Sequence, residues 1–145
     1  MRVSAKTDYG VRALIELAHH SGQGPLQACE IAQRQRIPEP YLDQLLTTLR
    51  RAGIVRSQRG PQGGHNLARD AAEIRLTEVV EALEGTISPI SCLDEGSECS
   101  LGGGCAQREV WERVRRATYE ILENVTIAQL AARERELTGA ARYVI

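Results

Sequence analysis

The segment from residue 54 to residue 67 limits the fold of this chain more than any other, because it cannot form a helix. It reads Ile-Val-Arg-Ser-Gln-Arg-Gly-Pro-Gln-Gly-Gly-His-Asn-Leu, with three glycines and one proline in five consecutive positions. Both residue types disfavour a helix interior, and glycine also permits the tight turn at the tip of a hairpin. Short apolar pairs flank the centre, which is the pattern of a two-stranded β-ribbon.

Three short amphipathic helices are predicted before the ribbon. In residues 8–20, apolar side chains fall at the spacing of one helix face, namely Val11, Leu14, Ile15 and Ala18. A second helix fits residues 27–35, and we expect Cys29 to be a small buried residue on its apolar side. A third begins at the prolines 38 and 40 and runs to about Ala52, burying Leu42, Leu45, Leu46 and Leu49.

This order of elements predicts a mostly α fold with a small β wing. Residues 1–84 would form a winged helix-turn-helix DNA-binding domain, with the third helix in the major groove and the ribbon along the backbone or the minor groove. Residues 85–105 would form a loop that carries cysteines, and residues 106–132 a long dimerisation helix. Residues 133–145 lose the helical pattern, so we expect a partly disordered tail.

Residues 106–132 carry a seam whose members are alternately three and four positions apart, as in a coiled coil. The seam consists of Trp111, Val114, Thr118, Ile121, Val125 and Ala128. Pairing with a second copy of the chain explains the length and the alternation best. Packing of the seam against the winged domain of the same chain is the alternative.

Charge is distributed unevenly along the chain. Residues 1–75 contain 11 Lys/Arg against 7 Asp/Glu, whereas residues 76–145 contain 7 against 12. Arg50, Arg51, Arg56 and Arg59 fall in a ten-residue window without an acid, which favours nucleic acid as a partner. A solvated charged face would give the same pattern. Aromatic residues make up only 3% of the chain, so a base-stacking platform for single strands is not expected.

The candidate DNA contacts lie on the polar face of the third helix and on the ribbon. Gln44 can pair with adenine and Asp43 can accept from the cytosine amino group. Arg50 and Arg51 suit phosphates, and Arg59 at the ribbon tip can reach a minor groove. Further candidates on the same helix face or at the tip, where glycine lets the backbone approach phosphates, are Tyr41, Thr47, Gly60, Gly63 and Gly64. A small helical domain of this outline that binds protein is the alternative.

Three cysteines, Cys92, Cys99 and Cys105, stand in the loop with the spacing C-x6-C-x5-C. Thiolates are soft ligands that suit iron–sulfur clusters, zinc and Cu(I). No pair has the close spacing of a zinc ribbon, and wide glycine-rich gaps let a loop surround something larger than one ion. A cluster normally takes four ligands, so a fourth would come from elsewhere. Exposed thiols, a redox disulfide, or a thiol- or zinc-based protein-interaction module remain alternatives.

Several stretches resemble the Rrf-type winged-helix transcription regulators, whose IscR-like and NsrR-like members bind iron–sulfur clusters. They are Met-Arg-Val-Ser (1–4), Thr-Asp-Tyr-Gly-Val-Arg-Ala-Leu (7–14), Tyr-Leu-Asp-Gln-Leu-Leu (41–46), Leu-Arg-Arg-Ala-Gly-Ile-Val-Arg-Ser (49–57), Arg-Gly-Pro-Gln-Gly-Gly-His-Asn-Leu (59–67) and the cysteine loop followed by Glu-Val-Trp (109–111). The resemblance covers residues 1–132. It implies a homodimeric regulator, a repressor, whose 2Fe-2S or 4Fe-4S cluster tunes operator binding in response to cluster supply, iron, redox state or nitric oxide. It also implies that Tyr41, Asp43, Gln44 and Arg59 face DNA and that Cys92, Cys99 and Cys105 bind the cluster.

The resemblance leaves the fourth cluster ligand open. IscR-like members have a histidine three residues after the last cysteine, but this chain has Arg108, whose guanidinium offers no free lone pair. NsrR-like members use an aspartate from the first helix of the partner subunit, and Asp8 occupies that position here. Asp8 as an ordinary first-turn residue facing the positive end of the helix is the alternative. Glu109, His65, an exogenous thiol or water are further candidates.

Other classes of protein are not expected from this sequence. It has no apolar stretch long enough to cross a bilayer and no secretory signal, so we expect a cytoplasmic protein with reduced thiols and no membrane partner. It also lacks a Ser-His-Asp set, a phosphate-binding Gly-Lys motif and a metal-hydrolase motif. We therefore expect no enzymatic activity, and the predicted partners are a double-stranded DNA operator and a second copy.

Overall fold

The computed structural model describes residues 1–143, which form six helices and one two-stranded sheet. The elements are α1 (Ala5–His19), α2 (Ala28–Gln35), α3 (Glu39–Arg51), β1 (Val55–Gln58), β2 (Gly64–Leu67), α4 (Leu76–Glu84), α5 (Ala106–Glu123) and α6 (Ile127–Tyr143). The predicted mostly α fold with a small β wing is confirmed. Within residues 1–143, no helix has the length and apolar character needed to span a bilayer.

The helix ends follow local capping signals. α1 begins three residues earlier than predicted because the hydroxyl of Ser4 accepts a hydrogen bond from the Thr7 amide at 3.4 Å. α2 ends at Gln35, and the capping residue Arg36 adopts the left-handed conformation with φ of 55°. Pro38 precedes the first turn of α3, where its missing N–H has no cost. These local signals set where α1 and α2 begin or end and where α3 begins.

The wing consists of β1, β2 and the connecting residues 59–63. The strands pair antiparallel, with Val55 opposite Leu67 and Gln58 opposite Gly64. A third segment joins this sheet through an isolated bridge between Leu26 and His65. The amide of His65 donates to the Leu26 carbonyl at 2.8 Å, and the amide of Leu26 donates back at 3.0 Å. The wing is therefore attached to the residues that immediately precede α2.

The core lies between α1, α3 and α4, and the four leucines of α3 are buried in it as predicted. On α2, the side chains that reach this core are Ile31 and Ala32. The prediction that Cys29 is buried is wrong. Its side chain is exposed, and the thiol lies 3.5 Å from the Gln27 side-chain oxygen at the start of α2.

The prediction of one continuous helix over residues 106–132 is also wrong. Asn124 ends α5, and α6 begins after Thr126, whose hydroxyl accepts from the Gln129 amide at 3.2 Å. The Gln129 side-chain oxygen accepts in turn from the Thr126 amide at 2.9 Å, which completes a capping box. Val125 lies in this link and Ala128 lies on α6, so they do not continue the α5 seam.

The link between α5 and α6 is held by the backbone just before α4. The Leu76 amide donates to the Val125 carbonyl at 2.8 Å, and the Ile127 amide donates to the Ile74 carbonyl at 2.9 Å. α6 then packs on α1, with Ile127 and Ala131 in the core. The last part of the segment expected to form a dimerisation helix, residues 127–132, thus packs on the winged domain of the same chain.

The predicted disorder of the C-terminal tail is wrong for residues 133–143, which continue α6. A contact across the domain supports this helix, since His19 Nε2 and Glu134 Oε2 lie 2.6 Å apart. Residues 144–145 of the predicted tail lie outside the described residues.

Candidate nucleic-acid interface and cysteine loop

The polar face of α3 presents the predicted DNA contacts to solvent. Asp43, Gln44, Arg50 and Arg51 are exposed, and Tyr41 and Thr47 are half-buried. The Thr47 hydroxyl donates to the Asp43 carbonyl at 2.9 Å, so only its acceptor lone pairs remain for another partner. The face thus combines an amide, a carboxylate and two guanidinium groups.

Tyr41 has a structural role besides its predicted place at the interface. Its ring meets that of Tyr9 edge-on, with centroids 5.7 Å apart, and the Arg12 guanidinium lies 4.8 Å from the centroid of the Tyr9 ring. The Tyr9–Tyr41 contact packs the start of α3 against α1. The Arg12 contact lies within α1 and supports the Tyr9 ring.

The wing tip has two kinds of glycine. Gly60 is exposed beside exposed Arg59, and its φ of +106° is a conformation that side chains rarely adopt. Gly63 is buried, and a Cβ there would lie 2.2 Å from the Gln58 carbonyl oxygen. This close approach within the wing gives Gly63 a structural reason to be glycine, and its approach to phosphates stays a prediction. At Gly64, a Cβ would lie 2.7 Å from the Leu26 carbonyl oxygen.

His65 lies between the wing and α3. Its Nδ1 is 2.8 Å from the Ser57 hydroxyl on the neighbouring strand. Burial lowers the pKa of His65 from 6.5, while nearby Asp43 acts to raise it and nearby Arg50 acts to lower it. The sequence offered His65 as a possible cluster ligand, but these contacts assign it to the junction of the wing and α3.

The arginines of the basic window are exposed and uncompensated. Among residues 1–140, Arg50, Arg51, Arg56 and Arg59 take part in no ion pair. Elsewhere in the chain, acids lie within 4 Å of Arg12, Arg34, Arg69, Arg75, Arg115 and Arg133. The positive charge beside α3 and the wing is thus available to an external anion.

The cysteine loop, residues 85–105, contains two short 3₁₀ turns, Ser91–Leu93 and Gly102–Gly104. Its cysteines are all free and half-buried, with Cys92 in the first turn and Cys105 at the N-cap of α5. The single chain does not gather them, because no three His, Cys, Asp or Glu side chains of the described residues are placed to hold a metal ion. The donors fit an iron–sulfur cluster by their chemistry, since they are thiols without disulfide partners.

Asp8, the predicted fourth ligand, is exposed on the first turn of α1. Both of its oxygens face Arg12, at 3.3 Å from Nε and 3.3 Å from Nη2. Arg108 and Glu109 are exposed in the first turn of α5, next to Cys105. None of these side chains is joined to the three cysteines within one chain.

A contact that the sequence did not reveal connects α1 to the end of α4, immediately before the cysteine loop. Glu84, the last residue of α4, accepts from the Thr7 hydroxyl at 2.6 Å and also from the Ser4 hydroxyl. These hydrogen bonds lower the pKa of Glu84. One turn along, the two helices are so close that a Cβ on Gly10 would lie 2.4 Å from a methyl group of Leu83. Ser4 and Thr7 lie 80 and 77 positions from Glu84 in the sequence, so no local pattern predicts this contact.

Much of the surface of α5 faces solvent in the single chain. None of its 18 residues is fully buried, and Val110 and Ile121 are 53% and 66% exposed. Of the predicted seam, Trp111, Val114 and Thr118 are half-buried. One side of α5 faces α4, where the Tyr119 hydroxyl donates to Glu81 at 2.7 Å and this hydrogen bond raises the pKa of Tyr119. An apolar strip of α5, which includes Val110 and Ile121, is left facing solvent.

The helix-turn-helix, the wing and the basic surface that they share define a winged-helix DNA-binding protein. The Rrf2 family, described as "Iron-dependent Transcriptional regulator", matches residues 3–133. The chain belongs to the Rrf2 family of transcriptional regulators.

Proteins of known name resemble the chain over nearly its whole length. The HTH-type transcriptional regulator CymR of Bacillus subtilis is 39% identical over 132 residues, which cover 91% of each chain. The structure of CymR, described as the global cysteine regulator of B. subtilis, has a TM-score of 0.76 and covers 91% of this chain and 97% of its own. IscR of Sodalis glossinidius is 37% identical over 135 residues, covering 92% of this chain and 81% of that protein. The structure of T. potens IscR is 37% identical with a TM-score of 0.76, covering 94% and 90%.

Proposed function

We propose that the protein is a homodimeric, cluster-sensing regulator that binds a palindromic DNA operator and has no catalytic activity. The observation that carries the DNA part is the group of uncompensated arginines, Arg50, Arg51 and Arg59, beside the exposed Asp43 and Gln44. Arg50 and Arg51 bind phosphates at the end of α3, while Asp43 and Gln44 read base edges in the major groove. Arg59 enters the adjacent minor groove from the wing tip.

The dimer is proposed from the exposed apolar strip of α5. A helix of 18 residues that buries none of them completely needs another surface, and Val110 and Ile121 supply apolar area for one. A second α5 packed against the first covers Trp111, Val114, Thr118 and Ile121 on both copies. Two-fold symmetry then places the two copies of α3 about one DNA turn apart, so that the operator is a palindrome.

The cluster is proposed on Cys92, Cys99 and Cys105, with Asp8 of the partner subunit as the fourth ligand. Three free thiols on one loop, the family description and the similarity to proteins named IscR support it. An iron–sulfur cluster supplies an iron centre that responds to oxidation and to small ligands. The proposal places the protein in the cytoplasm, where thiols stay reduced.

Glu84 connects the two halves of this proposal. It is the residue before the cysteine loop, and its carboxylate holds the hydroxyls of Ser4 and Thr7 at the start of α1. Asp8 follows directly on α1, and Tyr9 of the same turn contacts Tyr41 on α3. A shift of the loop thus moves α1 and the recognition helix α3 together. The cluster can favour one arrangement of α1 and α3 over another only if it binds the two with different affinities.

The DNA part is tested on a duplex selected from a random pool by the parent protein. Arg59→Ala weakens binding by about 1–3 kcal/mol and relaxes sequence preference at one position. Arg50→Ala and Arg51→Ala weaken binding to all sequences and reduce the salt dependence by about one ion each. Arg133→Ala, whose partner is Glu136 on α6, is the control and binds like the parent. Parental affinity in the first three variants at two salt concentrations contradicts the proposal.

The cluster part is tested on protein purified without oxygen, by its visible spectrum and its iron, sulfide and zinc content. Cys92→Ala, Cys99→Ala and Cys105→Ala each lose the chromophore and the sulfide. Cys29→Ala keeps both, because Cys29 is an exposed thiol on α2 and the matched control. Colourless parent protein with bound zinc or bare thiols rejects the cluster, and a thiol- or zinc-based interaction module replaces it.

A further inference from the structure

A cleft of about 500 Å³ lies between the wing and α6. Its walls come from distant parts of the chain: the end of α1, the base of the wing, the residues before α4 and the first turns of α6. Arg56 and Asn66, which stand opposite each other on β1 and β2, line the wing side. The cleft is of the size that takes a small ligand.

Three arginine residues line this cleft, which we call the arginine cleft. Arg56 comes from β1, Arg69 from the residues after β2, and Arg135 from α6. Arg69 has an acidic partner, Glu78, whereas Arg56 and Arg135 form no ion pair among residues 1–140. Asp70 is the only carboxylate in the lining of the described cleft. Its Oδ1 already accepts from the Ala72 amide at 2.9 Å.

The rest of the lining leaves space between these charges. Ala128 and Ala131 precede Arg135 on one face of α6, and Ala18, Gly22, Ala68 and Ala71 stand around them. These small side chains neither fill the cleft nor neutralise it. Like charges that line one cleft repel each other, and an anion bound between them reduces that repulsion.

We propose that the arginine cleft is a binding site for a small anion that carries a phosphate or carboxylate group. Arg56 and Arg135 provide the binding charges from opposite walls, and Asn66 adds an amide donor beside Arg56. Arg69 is fixed by Glu78 and by the Glu73 carbonyl, at 3.2 Å, and it holds the third side of the cleft. Two sources have this chemistry, a free anion or a phosphate of the DNA backbone beside the wing.

An anion bound there joins the wing to α6. Arg56 lies on the strand that leads to Arg59 at the wing tip, whereas Arg135 lies on the helix that packs against α1. The site therefore restricts the wing relative to the body of the domain. Anion binding is therefore a second influence on the DNA-contacting surface of α3 and the wing, separate from that of the cysteine loop.

The first experiment titrates inorganic phosphate into the free protein at constant ionic strength and follows the midpoint of thermal unfolding. The parent shows a saturable rise. Arg56→Gln and Arg135→Gln each weaken the apparent affinity about tenfold or more, because each removes a charge-assisted contact. Arg133→Gln, on α6 but outside the lining, is the control and keeps the response. General stabilisation by phosphate is not saturable and is equal in all four proteins. This experiment uses no DNA and does not depend on the proposed function.

The second experiment separates the two sources by measuring operator affinity against salt concentration. If the DNA backbone supplies the phosphate, Arg135→Gln reduces the salt slope by about one, and free phosphate competes with the operator. If the ligand is a free anion, the slope of Arg135→Gln equals that of the parent, and the saturable phosphate response remains. Equal responses of all variants to phosphate, together with equal salt slopes, overturn the proposal.

Discussion

Gly64 of the wing lies against the backbone of Leu26, so closely that a Cβ on Gly64 would be 2.7 Å from the Leu26 carbonyl oxygen. Its φ of +149° is also unfavourable for any residue with a side chain. The bridge between His65 and Leu26 immediately follows this contact. One glycine thus allows the wing to be fastened to the start of the helix-turn-helix.

Gly64→Ala tests this attachment. We expect a loss of about 2 kcal/mol or more in the free energy of unfolding, because the Cβ meets immobile backbone and the conformation is strained. Gly60→Ala is the matched control, since its φ is also positive but no atom lies within 4 Å of the added Cβ. Urea unfolding measures both variants. Equal losses would mean that strain alone is responsible and that the contact with Leu26 is not.

His65 makes the stability of the wing depend on pH. Its folded-state pKa is lowered below 6.5, so below that pH the unfolded chain takes up more protons than the folded one. The contribution is complete above pH 6.5 and is lost as the pH falls through the folded pKa. We expect His65→Gln, which does not titrate, to lose less stability than the parent between pH 7.5 and 5.5. Urea midpoints at the two pH values measure the difference, and identical losses contradict the assignment.

Ile121→Glu tests the proposed dimer. Two carboxylates would face each other across the α5 strip, and we expect the dissociation constant to rise by about 100-fold or more. Ile121 is 66% exposed in the single chain, so the monomer should keep its helical circular dichroism. Ala132→Glu, exposed on α6, is the control and remains dimeric. Sedimentation velocity measures the state of each protein, and a dimer of Ile121→Glu at parental affinity rules out this interface.

Asp8→Asn tests the fourth ligand. We expect the thiols to assemble a cluster with an altered visible spectrum and a faster loss in air, because the substitution removes the anionic ligand from the iron site that the three thiolates leave open. Glu109→Gln, an exposed carboxylate beside Cys105, is the control and keeps the parental spectrum and lifetime. Loss of the exposed pair with Arg12 costs at most about 1 kcal/mol in stability. If Glu109→Gln changes the spectrum and Asp8→Asn does not, Glu109 takes the role.

The winged domain was predictable from the sequence because its signals are local. The Gly-Pro-Gln-Gly-Gly turn predicts the wing, and the leucine spacing predicts the buried face of α3. The link between Leu26 and His65 was not predictable, because it joins residues 39 positions apart through backbone atoms alone. The doublet Gly63-Gly64 suggested a close approach of the backbone, but the sequence could not say whether to DNA or to the chain itself.

The break after α5 had a local signal that the apolar seam concealed. Thr126 and Gln129 are a capping pair at the spacing of a new helix start. The seam continues through that point with unchanged spacing, so periodicity alone predicted one helix. The contact of Glu84 with Ser4 and Thr7, like the arginine cleft, joins residues far apart in sequence and depends on how the elements pack. Contacts of this kind produce no periodic pattern in the sequence.

The backbone pairing of residues 74–76 with residues 125–127 closes a ring that contains α4, the cysteine loop and α5. The ring is anchored to the rest of the domain mainly along α4, where Val79 and Leu83 are buried in the core and the Glu84 carboxylate holds the start of α1, and also at this pairing. The cysteine loop and α5 form the other side of the ring, so cysteine spacing and loop length can vary in evolution without disturbing the recognition helix as long as these attachments survive. A message from the loop to the DNA surface of the same subunit has a direct route through α4, which packs against both α1 and α3.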